Sequence, residues 1–248
     1  MNSATPSRAA LRPGCDRPRC QVVLIDGDDT LWPNNVYFER ATDQYLDALT
    51  ELHVDRRHAR AHLVDVQRRQ CPIFGYGSAS YARNLLTCCA DLLRSVPEGI
   101  ETLVEVLAAD LANHPVEPFD GVLETLSLLA TRHRLVLVTK GDHHEQARKV
   151  ALSGVEPYFE AVEIVREKTP AKYSDIVTSL SVAQAHTWMV GDSPLSDIHA
   201  SLSAGLNAIF VRNPLTPLFE RIEAFESSRQ PHRVVLSVDR FDALQELL

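Results

Sequence analysis

Residues 22–32 read Val22-Val23-Leu24-Ile25-Asp26-Gly27-Asp28-Asp29-Thr30-Leu31-Trp32, and this stretch decides the fold. Four apolar residues, three of them β-branched, run unbroken into a turn-rich acidic cluster. An apolar run of this length, closed by turn signals, predicts a strand buried inside a parallel sheet.

Outward from that strand the periodicity changes. From Asn35 to Asn113 apolar residues recur at helical spacing, as in Phe38, Tyr45, Leu49 and Leu52, and again in Ile100, Leu103, Val104, Leu107 and Leu111. Pro72 to Gly77 is expected to interrupt these helices as a loop, and Pro97-Glu98-Gly99 to mark a second break. Beyond Pro118, strand-like and helix-like pieces alternate. Strands are expected at Leu135–Val138, Ala161–Val165, Thr187–Val190, Ala208–Val211 and Val234–Ser237. Helices are expected at Gly121–Thr131, Glu145–Leu152, Tyr173–Leu180 and Leu195–Ala204. The pattern predicts an α/β fold, a Rossmann-like doubly wound parallel sheet with an inserted α-helical cap. The core would comprise residues 21–34 and 115–248, the insert residues 35–114, and residues 1–20 a disordered tail.

Composition narrows the classes. The 248 residues allow one large domain or two small ones, with 45% hydrophobic and 23% charged residues. A net charge of −8 argues against binding to nucleic acid, without excluding a small anionic substrate in a locally cationic cleft. No apolar run approaches the roughly 18 residues of a membrane span. The first 19 residues lack the apolar segment of a secretory signal. The five cysteines show no CxxC or zinc spacing, so reduced thiols in a cytoplasmic protein are expected. A monomer and a homodimer both fit.

A doubly wound sheet collects its site at the carboxyl ends of its strands. Asp26 and Asp28 follow the first strand, and Thr139, Lys140 and Gly141 the second. Lys168 follows the third, and Gly191 and Asp192 the fourth, with Asp197 five residues on. These residue types suit phosphoryl transfer. A carboxylate can attack phosphorus, and Asp26, held at a strand end, is the candidate nucleophile. Asp28 can serve as general acid and base if acidic surroundings raise its pKa. Such crowding calls for a cation, and Mg²⁺ with oxygen ligands from Asp26, Asp192 and Asp197 fits. Thr139 can donate to a phosphate oxygen, and Lys168 can offset charge on nucleophile and transition state. Ser193 is a good helix cap, Pro194 fits the first helical position, and Asp197 falls in the first turn. The helix after Thr139 is expected to point its N-terminus at the site, which favours phosphate.

The order and spacing of these groups resemble the four motifs of the haloacid dehalogenase superfamily: Asp26-Gly27-Asp28-Asp29-Thr30, Thr139, Lys168, and Gly191-Asp192 through Asp197. The likeness covers nearly everything from Gln21 onward. The helical insert resembles the C1 cap of the phosphoglycolate phosphatase-like subfamily. The resemblance implies a Mg²⁺-dependent phosphatase acting on a small phosphorylated metabolite through an aspartyl-phosphate on Asp26. It adds the main-chain carbonyl of Asp28 as a metal ligand and assigns Thr139, Lys140, Gly141 and Lys168 to the phosphate. Dehalogenases of the family lack the second acid, so Asp28 favours phosphate esters. Asp29 is a departure, since many relatives carry Gly there. Lys168 is preferred over Lys172 because Thr169-Pro170 follows it.

Two other functions use the same residues: a phosphomutase, and a non-catalytic protein that binds a phosphorylated ligand. Blander readings hold elsewhere. His143-His144 reads as a solvated helix start, and His58 and His62 as an exposed helix face. The Phe74–Gly77 stretch reads as a helix connector and Cys88-Cys89 as core. Trp32 is expected to pack between core and cap.

Overall fold

The structure is a computed structural model describing residues 20–217 and 234–248. The expected tail, apart from Cys20, lies outside the described residues. Strand β1 (Val22–Ile25) is buried along its whole length, as its unbroken apolar run demands. Val23 and Ile25 pack into one layer, Val22 and Leu24 into the other. Around it lie β2 (Arg134–Lys140), β3 (Ala161–Val165), β4 (Thr187–Gly191), β5 (Asn207–Val211) and β6 (Val235–Val238). All pair in parallel, in the order β3-β2-β1-β4-β5-β6. The chain runs from β1 outward to β3, then crosses to β4 on the other side of β1. Strand order therefore reverses beside β1, and a crevice opens where Asp26 leaves the strand.

Between β1 and β2 stand α1 (Asn35–Glu51), α2 (Arg56–Phe74), α3 (Ser78–Leu93) and α4 (Glu98–Asn113), then α5 (Val122–Ala130). Helices α1 to α4 bury their own cluster around Tyr45, Leu49, Leu63, Leu85, Cys88 and Leu107, separate from the sheet's core. The sheet is flanked by α5, α6 (His143–Ser153) and the short C-terminal α9 (Leu244–Leu247) on one face. On the other lie α7 (Pro170–Ser179) and α8 (Ala200–Ser203). Among the described residues no helix is long and apolar enough to cross a membrane.

Three local expectations change. Helix α2 continues through Pro72 to Phe74, so the expected 72–77 loop contracts to its last three residues. The amide of Gly75, at φ 84°, closes that final turn on the Cys71 carbonyl at 2.9 Å. Second, the expected helix from Leu195 begins instead as a π-helical turn, Pro194–His199, before α8. Ile198 N–H reaches back to the Ser193 carbonyl at 3.2 Å, five residues earlier. Third, Trp32 lies wholly within the sheet's core rather than between sheet and insert.

Candidate active site

Past the end of β1 the backbone continues the ladder, Asp26 N–H donating to the Val190 carbonyl at 2.9 Å. This fixes the Asp26 carboxyl at the crevice. Asp192 follows β4, and the wide turn after it swings Asp197 back toward the strand ends. One carboxylate oxygen from each of Asp26, Asp192 and Asp197 lies within 4.8 Å of the other two, and all three residues are buried. A Cβ at Gly191 would sit 2.2 Å from Asp197 Oδ2, so glycine alone permits this approach. Ser193 caps the turn as expected, its Oγ accepting from Ser196 N–H at 3.0 Å. Ser193 N–H in turn donates to Asp197 Oδ2 at 3.0 Å.

Lys168 Nζ bridges the cluster, donating to Asp26 Oδ1 and, at 2.6 Å, to Asp197 Oδ1. Lys172 turns away to Glu163 at 3.3 Å, so only the preferred lysine reaches the site. Burial, then the charge of Asp197, pushes Asp26 up to about 7 against the opposing pull of Lys168. Burial and the charges of Asp26, Asp29 and Asp197 raise Asp192 well above its ordinary value. Burial opposes the Lys168 ammonium, but Asp197 and Asp26 prevail and raise its pKa. With one ammonium among three buried carboxyl groups, full ionisation would leave two negative charges uncompensated, which is why Asp26 and Asp192 resist ionising without a further cation. Hard oxygen donors with that residual charge fit a divalent cation such as Mg²⁺.

Asp28 departs from expectation. Its carboxylate accepts from Trp32 Nε1 at 2.7 Å, Gln146 Nε2 at 2.8 Å and Lys149 Nζ at 2.8 and 2.9 Å. Burial would raise its pKa, yet the Lys149 charge and these bonds prevail and hold it below the usual carboxylate range. The expected upward shift is therefore reversed: its nearest charged partner is a lysine, not the other acids. Lys149, Gln146 and Asn34, whose Oδ1 accepts from Lys149 at 2.7 Å, escaped the sequence reading. The available signal was the polar pair at i, i+3 on the helix that follows the second motif.

Thr139 stands at the end of β2, and its Oγ1 is buried without a partner. Lys140 lines the cleft, donating to Ser196 Oγ at 2.6 Å and lying 4.2 Å from the Tyr76 ring centroid. Gly141 lines it too, but its N–H is used by the Val165 carbonyl at 3.1 Å. The N-terminus of α6 is not open to an anion as expected, because Asp142 caps it from within the chain, accepting from His144 and Glu145 amides. Asp29 sits at φ 62°, a left-handed conformation that aspartate tolerates where many residues do not. Its carboxylate caps α1 through the amides of Asn34 and Asn35.

The cleft, of about 190 Å³, has the strand ends as floor and α1, α2 and α3 as roof. The two halves are joined by hydrogen bonds. Tyr76 OH donates to Glu167 Oε2 at 2.8 Å, Arg166 reaches the Ile73 carbonyl, and Glu145 accepts from the Ser78 amide and hydroxyl. Tyr76 thus faces the cleft wall rather than acting only as a connector. His143 and His144 are exposed, and His62 pairs with Asp91 at 2.9 Å on the outer face of the insert. Cys88 and Cys89 are buried in the insert's core, and no described cysteine forms a disulfide.

Comparison with known proteins agrees with this architecture. The haloacid dehalogenase-like hydrolase family matches residues 88–211, half of the chain, and the chain belongs to that family. It is 33% identical over 132 residues to human (Homo sapiens) N-acylneuraminate-9-phosphatase, the match covering 50% of each chain. The chain thus spans about half the length of the curated relatives it matches. A haloacid dehalogenase-like hydrolase from Xanthomonas campestris superposes with a TM-score of 0.77 at 26% identity, covering 96% of this chain and 93% of that one. A 2-haloacid dehalogenase from Pseudomonas syringae shares the fold, with a TM-score of 0.58 at 24% identity over 92% of this chain and 97% of that one.

Proposed function

We propose that this protein is a Mg²⁺-dependent phosphatase that hydrolyses a small phosphomonoester through an aspartyl-phosphate on Asp26. The carrying observation is the buried triad of Asp26, Asp192 and Asp197, in which a single lysine bridges two of the three acids and full ionisation calls for a further cation. Those carboxylates, with the main-chain carbonyl of Asp28, would hold the ion. When bound, Mg²⁺ offsets charge on the transferring phosphoryl group.

In the first half-reaction an Asp26 oxygen forms a bond to phosphorus as the ester P–O bond breaks. Asp28 supplies the proton that the leaving alkoxide takes. In the second, water adds to phosphorus, the Asp26–phosphorus bond breaks, and Asp28 receives the water's proton. Inorganic phosphate and an alcohol leave. Asp28, paired to Lys149, rests as a carboxylate, so it would take a proton from solvent as the ester binds, give it to the leaving alkoxide, and regain one from the attacking water. Thr139 Oγ1, a buried donor without a protein partner, would bond a phosphate oxygen. Lys168 would offset charge on nucleophile and phosphoryl group, and Lys140 and Gly141 would line the phosphate's entry.

The presence of Asp28 supports phosphate esters over the dehalogenation named for the Pseudomonas fold neighbour. The phosphatase names of the curated relatives support the same reading. Residues 35–114 would act as a C1-type cap that closes on substrate and excludes water. The reduced cysteines support a cytoplasmic setting. The test is phosphate release from a panel of monoesters with Mg²⁺ and with EDTA. Release is expected only with the metal, and Asp26→Asn should abolish it. Metal-independent release, or normal turnover by the variant, would contradict the assignment, and transfer to a second hydroxyl without release would indicate a mutase.

A further inference from the structure

The cleft does not end at the phosphate. It continues into the insert, between α1, α2 and α3, where none of the lining residues takes part in the proposed chemistry. Asn84 lies on its wall with 1% exposure, and its Oδ1 has no hydrogen-bond partner. Its Nδ2 finds only the Cys71 sulfur, at 3.8 Å. A buried amide left so poorly satisfied is destabilising unless a ligand completes it. The other polar groups on this wall are neutral or neutralised. Thr42 and Tyr81 share a hydroxyl–hydroxyl bond, Thr42 Oγ1 donating on to the Phe38 carbonyl at 2.7 Å, and Gln67 is half-buried on the cleft. Arg60 is the insert's one cation on this wall, and both its terminal nitrogens bond Glu39 Oε2, with Asp43 a further 3.5 Å away. Phe38 and Leu63 supply apolar surface between the polar groups.

Uncharged hydroxyl and amide groups set among apolar faces suit a hydroxylated carbon chain. A matched cation gives no footing to a second phosphate or a carboxylate. Resting on the phosphatase reading above, we propose that the leaving group is an uncharged polyol or sugar whose hydroxyls satisfy Asn84 in the chamber of the insert. Asn84 would then be a specificity-determining residue. A site built to bond a hydroxyl discriminates against the analogue lacking it, because its own polar groups stay unpaired.

The experiment compares kcat/KM of the full chain, with Mg²⁺, on ribitol 5-phosphate, n-pentyl phosphate and acetyl phosphate, with fructose 1,6-bisphosphate as the doubly charged probe. The polyol ester should be favoured over the pentyl ester at least tenfold, and over the bisphosphate as well. Asn84→Leu should shrink the polyol-to-pentyl ratio at least tenfold. Gln67→Leu, at a half-buried position, should shrink it in the same direction and serves if the first variant does not fold. Equal rates on the two five-carbon esters, preference for the bisphosphate, or an unchanged ratio in a folded variant would overturn the proposal. Turnover of acetyl phosphate with no polyol preference would sink this inference alone. Failure on every ester would sink the phosphatase reading with it.

Discussion

Lys149 and Asp28 face each other at 2.8 Å, the lysine side chain 7% and the aspartate side chain 19% exposed. Removing one partner of such a pair leaves a buried charge alone, which costs about 3–5 kcal/mol. Lys149→Met is therefore expected to lower the urea midpoint strongly. The double variant Asp28→Asn, Lys149→Met should recover part of the loss, because neither charge then remains. A Lys149→Met midpoint equal to wild type would show that the pair contributes nothing. At this scale the sequence was legible wherever a residue ends a strand. Asp26, Thr139 and Asp192 could be placed because each follows an apolar run, and the crevice of a parallel sheet gathers such positions. Lys149 was not, since it acts on a carboxylate 121 residues away and its one local mark, the polar i, i+3 pair with Gln146, does not say which acid it meets. The expected rise in the Asp28 pKa failed for that reason: counting nearby acids omits a lysine that only the tertiary fold delivers.

At the scale of elements, the junction of β4 with the π-helical turn sets the acidic cluster. Gly191 has no positive φ to maintain, so the effect of substituting it is steric. In Gly191→Ala the new methyl must displace the Asp197 carboxylate, which also breaks its bond to Lys168. Phosphate release should fall about 10²-fold, the loss typical of a misplaced group, while the circular dichroism spectrum stays native. Full activity would mean that Asp197 has no positional role. Another contact tests the sheet itself. Arg134, opening β2, pairs with Glu160, just before β3, at 2.7 Å. The Arg134 hydrogen bonds hold the Glu160 carboxyl below its ordinary value near 4.5, burial opposing. Its stabilisation is present above the unfolded pKa and is lost as pH falls through the folded one. Glu160→Gln should cost up to about 1 kcal/mol at pH 7, and the gap from wild type should shrink as the pH falls below the ordinary carboxylate range. A gap that does not shrink would contradict an electrostatic origin. Element type was readable from periodicity, whereas boundaries were not. Pro72 is a breaker only where the amide it removes was needed, and the last turn of α2 closes through Gly75 instead. The π turn both packs, through the buried Ile198, and places Asp197, and nothing in a helical periodicity distinguishes it from an α turn.

At the scale of the whole molecule, two hydrophobic cores face each other across one cleft. The sheet holds the acids, and the four-helix insert holds the polar chamber above them. Both cores were visible as a change from strand-like to helical periodicity, but the bonds that bring them together were not. Tyr76 to Glu167 and Ser78 to Glu145 join residues 91 and 67 positions apart, through side chains that look like ordinary loop and helix-surface groups. On the proposed reading the assembled molecule presents one carboxylate, Asp26, to an incoming phosphorus while Asp192 and Asp197 share a cation with it. The direct test is to mix the enzyme with Mg²⁺ and an excess of a turned-over monoester, quench in acid within the first turnover, and reduce with borohydride. An acyl-phosphate reduced this way leaves homoserine in place of the aspartate, and peptide mass spectrometry locates it. The account predicts homoserine at position 26 and nowhere else; homoserine at another aspartate, or none while phosphate is released at full rate, would contradict it.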